Sequence, residues 1–272
     1  MNGQEMITAL HAGTRVYGTL VASPAPKWPA ALAKAGLDFV FLDTEHIALD
    51  RAQLSWMCWT YRAMGMAPIV RIPSPDPYEA CKVLDGGASG IIAPYVETAE
   101  QVIALRGAVK LRPVKGQRLQ EFLSGAETPE PVLDAYLAQN NTGNVLIVNI
   151  ESVPAIQALD AILAVPGLDA ILVGPHDLSC SLGIPEQYRH PRFEEAMRTI
   201  IQQARAAGVG VGIHFWAGLD QEVAWARLGM NLMLHSADLT LFLNALQSDL
   251  AYLHGELDGG DAATGEVDAV NM

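Results

Sequence analysis

The sequence predicts an α/β fold, a single (β/α)8 TIM barrel, and three observations carry the prediction. Eight short apolar runs recur along the chain, and nearly all are separated by stretches with apolar residues at helical spacing. The runs are apolar at almost every residue, as in parallel strands covered on both faces, where half-exposed strands would alternate. Three helical stretches close on a glycine just before the next run, at Gly36, Gly208 and Gly229, where a helix cap calls for a left-handed residue.

Taken in order, the first strand is expected over Arg15–Val21, and Lys27–Gly36 crosses to the second, Asp38–Leu42. Leu49–Met64 leads to Ala67–Ile72, Pro77–Gly86 to Gly90–Ala93, and Thr98–Leu111 precedes Asn144–Ile150. Pro154–Leu163 then leads to Asp169–Val173, Phe193–Ala207 to Val209–His214, Leu219–Leu228 to Asn231–His235, and Leu239–Leu253 ends the series. Eight units favour a closed barrel over an open doubly wound sheet. Gly208, Gly210 and Gly212 resemble a dinucleotide fingerprint, but they lie inside a strand and not between a strand and a helix. They read instead as room for bulky neighbours.

With 272 residues, 50% hydrophobic and 17% charged, the chain can bury a large core. A net charge of −13 with no basic run argues against nucleic acid or an anionic membrane as partner. No apolar stretch is long enough to cross a bilayer, and the opening MNGQEMITAL is too polar for a signal peptide. Cys58, Cys81 and Cys180 lie far apart with no CxxC, which suits reduced thiols in a cytoplasmic enzyme. The segment from Glu256 to Met272 carries five of the thirteen excess negative charges and no Lys or Arg, and reads as an acidic flexible tail. The folded domain is therefore placed at residues 1–255, with its last structured turn near His254, and the tail at 256–272.

In a parallel barrel the chemistry sits beyond the C-terminal ends of the strands. There the sequence places Asp43, Glu45 and His46, then Arg71, Pro94, Asn149 with Glu151, His176 with Asp177, His214 and His235. Glu151 and Asp177 close adjacent strands. Two bare carboxylates side by side would repel, whereas a divalent cation lets both ionise. Two hard oxygen ligands with room for water and a chelating substrate suit Mg²⁺ or Mn²⁺. The plainer alternatives are a helix cap for Asp177 and a surface salt bridge for Glu151. Arg71 has the planar fork for a carboxylate or enolate oxygen, or else makes an internal salt bridge to Asp43 or Asp85. Asp43 and His46, three apart, are expected to form a carboxylate–imidazole pair.

These motifs resemble the metal-dependent class II pyruvate aldolases of the HpcH/HpaI, or 4-hydroxy-2-oxoheptanedioate aldolase, family. The resemblance runs from about Gly18 to about Leu239 and rests on FLDTEH, PIVRIP, VLDGGASGIIAPYVETAEQ and NIESVPAIQALDAILAVPGLDAILVGPHDLSCSLG. It implies a barrel of the phosphoenolpyruvate/pyruvate-domain type and a divalent metal, Mg²⁺ or Mn²⁺ with Co²⁺ also admitted, held by Glu151 and Asp177. It further implies that Arg71 contacts the pyruvyl oxygen and that His46 with Asp43 does acid–base work. Asp85 would stand near that pair across a subunit contact. Gly174, Pro175 and the backbone N–H groups of His176 and Asp177 would receive the pyruvate carboxylate, in keeping with anion binding at helix starts. A homo-oligomer, trimer or hexamer, is implied as well.

The chain departs from the family pattern at several places. Asn149 stands where Gln is common, Arg118 sits in a GQRL loop in place of GxRG, and His176 replaces Asn or Ala. The turn in the last strand becomes His235-Ser236-Ala237-Asp238. Leu20, His214 and His235 are expected to line the acceptor side. The implied reaction is cleavage of a 4-hydroxy-2-oxo acid to pyruvate and an aldehyde, the enolate being stabilised by the metal and Arg71. The base is metal-bound water or His46. None of the five lysines ends an inner strand, which disfavours a Schiff-base route. The same enolate serves oxaloacetate decarboxylation or condensation with another acceptor. A non-catalytic metabolite-binding barrel is the alternative from a different class, and the joint presence of Glu151, Asp177, Arg71 and His46 argues against it.

Overall fold

A computed structural model of the chain describes residues 1–258. It opens with α1 (Gly3–Ala12), then β1 (Val16–Leu20), α2 (Trp28–Leu32), β2 (Phe39–Asp43), α3 (Arg51–Ala63), β3 (Ala67–Arg71), α4 (Pro77–Asp85) and β4 (Gly90–Ala93). Three helices follow, α5 (Ala99–Lys110), α6 (Gly116–Ser124) and α7 (Pro131–Asn140), before β5 (Val145–Ile150). Then come α8 (Val153–Gln157), α9 (Leu159–Leu163), β6 (Ala170–Val173), α10 (Pro175–Ser181), α11 (Pro191–Ala206), β7 (Gly210–Phe215), α12 (Leu219–Leu228), β8 (Leu232–Ala237) and α13 (Asp238–Asp258). The strands form a closed, all-parallel barrel in the order β1 to β8.

All eight strands fall where the apolar runs placed them, within one or two residues at the ends. Two differences matter. The last strand continues two residues past His235, and the expected helix over 154–163 is two five-residue helices meeting at Ala158. The terminal helix runs through Asp258, so residues 256–258 of the expected tail are helical. The rest of that segment lies outside the described residues.

Two apolar layers form, as both-face burial requires. Inside the barrel are Leu20, Phe39, Phe41, Ile69, Ile92, Val145, Ile147, Leu172, Leu232 and Leu234. Between barrel and helices lies a larger layer that includes Val40, Val70, Ile91, Leu146, Val148, Ile171, Phe193, Ile213, Phe215 and Trp225. The N-terminal mouth is closed by α1, whose Met6 and Leu10 are fully buried against the inner layer. A Cβ on Gly210 would come within 2.9 Å of Leu10, and one on Gly212 would run into the Leu232 carbonyl. The strand glycines therefore make space for neighbours. At the opposite mouth, Asp238 accepts from the N–H groups of Ala22 and Ser23 and from Trp28 Nε1, tying the β1–α2 connection to the start of α13.

Candidate active site

The C-terminal mouth holds a cavity of about 450 Å³ lined by Phe41, His46, Arg71, Asn149, Leu172, Val173, Gly174, Pro175, His176, Asp177, His214 and Trp216. Leu20, expected to line the acceptor side, is instead fully buried in the inner apolar layer and does not line the cavity. Regular strand pairing builds one wall, because Asp43 and Arg71 are register partners at the ends of β2 and β3.

That register decides the Asp43 contact. Arg71 Nε donates to Asp43 Oδ1 at 2.8 Å and its NH2 group to Oδ2 at 2.6 Å, while Glu45 Oε2 lies 3.1 Å from Nε. Asp43 is fully buried; burial pushes its carboxyl up, but the Arg71 hydrogen bonds and charge outweigh this and hold it below the usual carboxylate range. Burial likewise works against the Arg71 cation, and Asp43 more than restores it. The expected Asp43–His46 pair does not form: both Asp43 oxygens are spent on Arg71, and the carboxylate near His46 is Glu45, 3.7 Å from Nε2. The internal salt bridge considered for Arg71 is thus present on its Asp43 side, and it aims the guanidinium from β3 into the cavity.

Glu151 follows β5 and is buried, and among the described residues it makes no ion pair. Its Oε1 accepts from the Tyr95 N–H at 2.6 Å and its Oε2 from Asn149 Nδ2 at 2.9 Å. Burial raises its pKa above the ordinary glutamate value, and Asp177 and Glu45 add to the rise. Asp177 sits in the first turn of α10, whose N-cap is Gly174 with no side-chain cap, so the capping alternative does not apply. A Cβ on Gly174 would lie 2.8 Å from Glu151 Oε2 and 3.6 Å from Asp177 Oδ2. The two carboxylates therefore flank a backbone that only glycine leaves open. Asn149 Oδ1 is buried and lacks a hydrogen-bond donor.

Several residues expected at the site lie elsewhere within one chain. Asp85 ends α4, on the N-terminal side of the barrel, and pairs with Arg112. Arg118 starts α6, one of two helices inserted between α5 and β5 on that same side, and pairs with Glu130. His235 pairs in register with the outward-facing Phe215 and bonds Glu222 of α12 at 2.8 Å, so it faces the helix layer. His214 does line the cavity. Residues missed in the sequence are Tyr95, Phe41, Trp216 and the placement of Glu45. Tyr95 has φ of 56°, rare outside glycine, and the neighbouring Glu45 carboxylate pushes its phenol up to about 12. Only its place just after a barrel strand pointed to it.

A sequence profile of the HpcH/HpaI aldolase/citrate lyase family matches residues 17–245. A 2-keto-3-deoxy-L-rhamnonate aldolase of Salmonella gallinarum is 31% identical over 244 residues, 89% of this chain and 90% of the relative. The solved HpcH/HpaI aldolase from Desulfitobacterium hafniense DCB-2 superposes with a TM-score of 0.78 at 27% identity, covering 91% of this chain and 95% of that one. Citrate synthase SbnG superposes at 0.79 with 30% identity, covering 93% and 98%. A barrel with acidic and cationic groups at its C-terminal mouth, matched over most of its length, settles the assignment: the chain belongs to the HpcH/HpaI aldolase/citrate lyase family, enzymes that act on carbon–carbon bonds as lyases.

Proposed function

We propose that the protein cleaves a 4-hydroxy-2-oxo acid to pyruvate and an aldehyde with the help of a divalent cation. The observation that carries this reading is that Glu151 and Asp177 both lie against Gly174, which with Asp177 lines the cavity that Arg71 enters. Asp43, Glu45, Glu151 and Asp177 set four carboxylates around one guanidinium, an imbalance that a divalent ion offsets. Among the described residues no group of three or more His, Cys, Asp or Glu converges on one point. The protein would therefore supply two hard oxygen ligands and leave the remaining positions to water and substrate, which fits Mg²⁺, Mn²⁺ or Co²⁺.

When bound, the ion supplies Lewis acidity to the oxygens of a chelating 2-oxo acid. Arg71, fixed by Asp43 and Glu45, donates to the keto oxygen as negative charge grows there during C3–C4 cleavage. The wall of Gly174, Pro175 and His176 borders the end that takes the substrate carboxylate. His46, on the opposite side beside Glu45, accepts the 4-hydroxyl proton.

Exchange of the pyruvate methyl protons in D₂O with added Mn²⁺ or Mg²⁺ tests the reading. Exchange that needs the ion and disappears in Glu151→Ala supports it. No exchange at saturating ion overturns it. The similarity to citrate synthase SbnG favours a second reading, condensation of the same carbon nucleophile with another acceptor; oxaloacetate decarboxylation would form the same enolate. Decarboxylation much faster than any aldol cleavage would promote that reading.

A homo-oligomer is part of the proposal. Leu239, Phe242, Leu246, Leu250, Leu253 and Leu257 are exposed at helical spacing along α13, an apolar stripe that a second copy would cover. In this reading the place for Asp85 is a subunit contact. Light scattering at micromolar concentration reads the mass directly. Three free cysteines agree with a reducing, cytoplasmic setting. No helix among the described residues is long and apolar enough to cross a membrane.

A further inference from the structure

We infer that His214 is a fixed, neutral hydrogen-bond acceptor that selects a hydroxyl-bearing, uncharged aldehyde as the partner of pyruvate. The inference rests on the aldolase reading above and adds the class of its second substrate.

The argument begins in the backbone of β8. Pairing of β1 with β8 runs Gly18 to Leu234 and then Leu20 to Ala237, so β8 carries one extra residue at this point. Within that bulge Ser236 is held at φ of 52°, a conformation a non-glycine residue adopts only when its surroundings impose it. The result is a buried carbonyl that accepts from Thr19 Oγ1 at 3.3 Å and lies 2.9 Å from His214 Nε2. A carbonyl only accepts, so Nε2 must carry the hydrogen. In the neutral ring Nδ1 is then the lone-pair nitrogen, and among the described residues it has no hydrogen-bond partner.

The ring around that lone pair is fixed and kept uncharged. Phe41 and Trp216 meet the imidazole edge to face at 5.6 and 5.4 Å. Burial, with Arg71 and His235 adding to it against the Ser236 bond and Asp43, lowers the His214 pKa to about 4. An imidazole in this state offers the cavity one acceptor and no positive charge. The guanidinium at the cavity is already engaged by Asp43 and Glu45, and the imidazole of His176 faces Glu186 at 3.4 Å. His46 too lies beside a carboxylate, Glu45 at 3.7 Å, so among the described residues of one chain an aldehyde bearing a distal carboxylate finds no unpaired cation on this side, whereas a hydroxyl finds the Nδ1 lone pair.

The test compares aldol addition of pyruvate to glycolaldehyde, propanal and 4-oxobutanoate, after the wild-type protein has been assayed for pyruvate methyl exchange. Glycolaldehyde and propanal differ by a hydroxyl in place of a methyl. Wild type is expected to favour glycolaldehyde by about tenfold or more in kcat/KM, the scale of one hydrogen bond with its unpaired alternative. His214→Leu should collapse that ratio, and His214→Gln, which can both donate to Ser236 and present an acceptor, should restore part of it. A nitrogen-15 spectrum of the wild-type protein, with His214 assigned by its absence from His214→Gln, should show a neutral Nε2–H ring across pH 5.5 to 8. Exchange in wild type with a ratio indifferent to His214→Leu, or a preference for propanal or 4-oxobutanoate, or a ring that titrates in that range, overturns the inference and leaves the aldolase reading standing. Absence of exchange in wild type overturns both.

Discussion

Asp43 gives both carboxylate oxygens to Arg71, at 2.8 and 2.6 Å, with neither side chain more than slightly exposed. A planar two-point contact fixes the guanidinium in rotation as well as position. Asp43→Asn removes one acceptor and the buried countercharge. Because Glu45 remains 3.1 Å from Nε, the stability loss should stay at or below the ~3 kcal/mol typical of a broken buried pair. Arg71→Lys should lower kcat/KM by about 10² through loss of a directed donor to the charge-bearing oxygen. Steady-state cleavage kinetics and urea unfolding separate the two effects.

Gly174 permits a clean steric test of the carboxylate site. Its φ of −86° suits any residue, so alanine costs no backbone strain. The added methyl would lie 2.8 Å from Glu151 Oε2 and 3.2 Å from its Cβ, and Glu151 must move. Gly174→Ala should fold normally and bind Mn²⁺ about 10 to 100 times more weakly, the range seen when ligands are disturbed from behind. Titration followed by electron paramagnetic resonance reads this directly, and unchanged affinity would count against Glu151 and Asp177 as the ligands.

Order and position of the strands were legible because each is a continuous apolar run, and because Gly36, Gly208 and Gly229 do carry positive φ at helix ends. What each strand-end residue faces was not. A strand apolar on both faces has no period-2 signal, and the bulge at Ser236 shifts the phase locally, so His235 could not be assigned to the helix layer from spacing. Sequence proximity also misled at Asp43 and His46, three residues apart, because the cross-strand partner of Asp43 is Arg71, 28 residues away. Helix α6 carries a short apolar stripe, Leu119, Phe122 and Leu123, that packs on Gly107 of α5, but it leads to no strand of its own and so has no place in the βα alternation; α7 buries only Leu137 and has no stripe. By contrast, α1 was readable from the Asn2–Glu5 capping box and the Met6/Leu10 spacing.

Glu151 illustrates a site maintained against stability. Its carboxyl is buried near Asp177 and Glu45, and among the described residues the cation that acts on it is Arg71, at longer range. Neutralising it in the ion-free protein should remove repulsion and desolvation cost worth on the order of 1 kcal/mol. Glu151→Gln without divalent ions should therefore melt about 2–4 °C above wild type. Added Mn²⁺ should raise the wild-type midpoint and leave that of the variant unmoved. Calorimetry with and without chelator checks both, and a variant that melts lower than ion-free wild type would mean Glu151 is held by contacts stronger than its repulsions.

His11 should make the closure of the N-terminal mouth sensitive to pH. Its Nδ1 lies 2.8 Å from the Gly208 carbonyl and its Nε2 3.2 Å from Asp169 Oδ1. Both partners accept, so the contacts are complete only when both ring nitrogens donate, and the fold favours the imidazolium. Its pKa is raised chiefly by the Asp169 hydrogen bond, against burial and the Lys110 charge, the latter itself 2.6 Å from Asp169 Oδ2. A raised folded value means the contribution is complete below the unfolded pKa near 6.5 and is lost as pH rises through the folded value. The unfolding midpoint of His11→Gln should fall below that of wild type at pH 6 and converge on it by pH 9. Since Lys110 and the Leu146 N–H still hold Asp169 at high pH, both proteins should remain folded there. A gap that is constant or widens with pH would show that His11 is neutral in the fold.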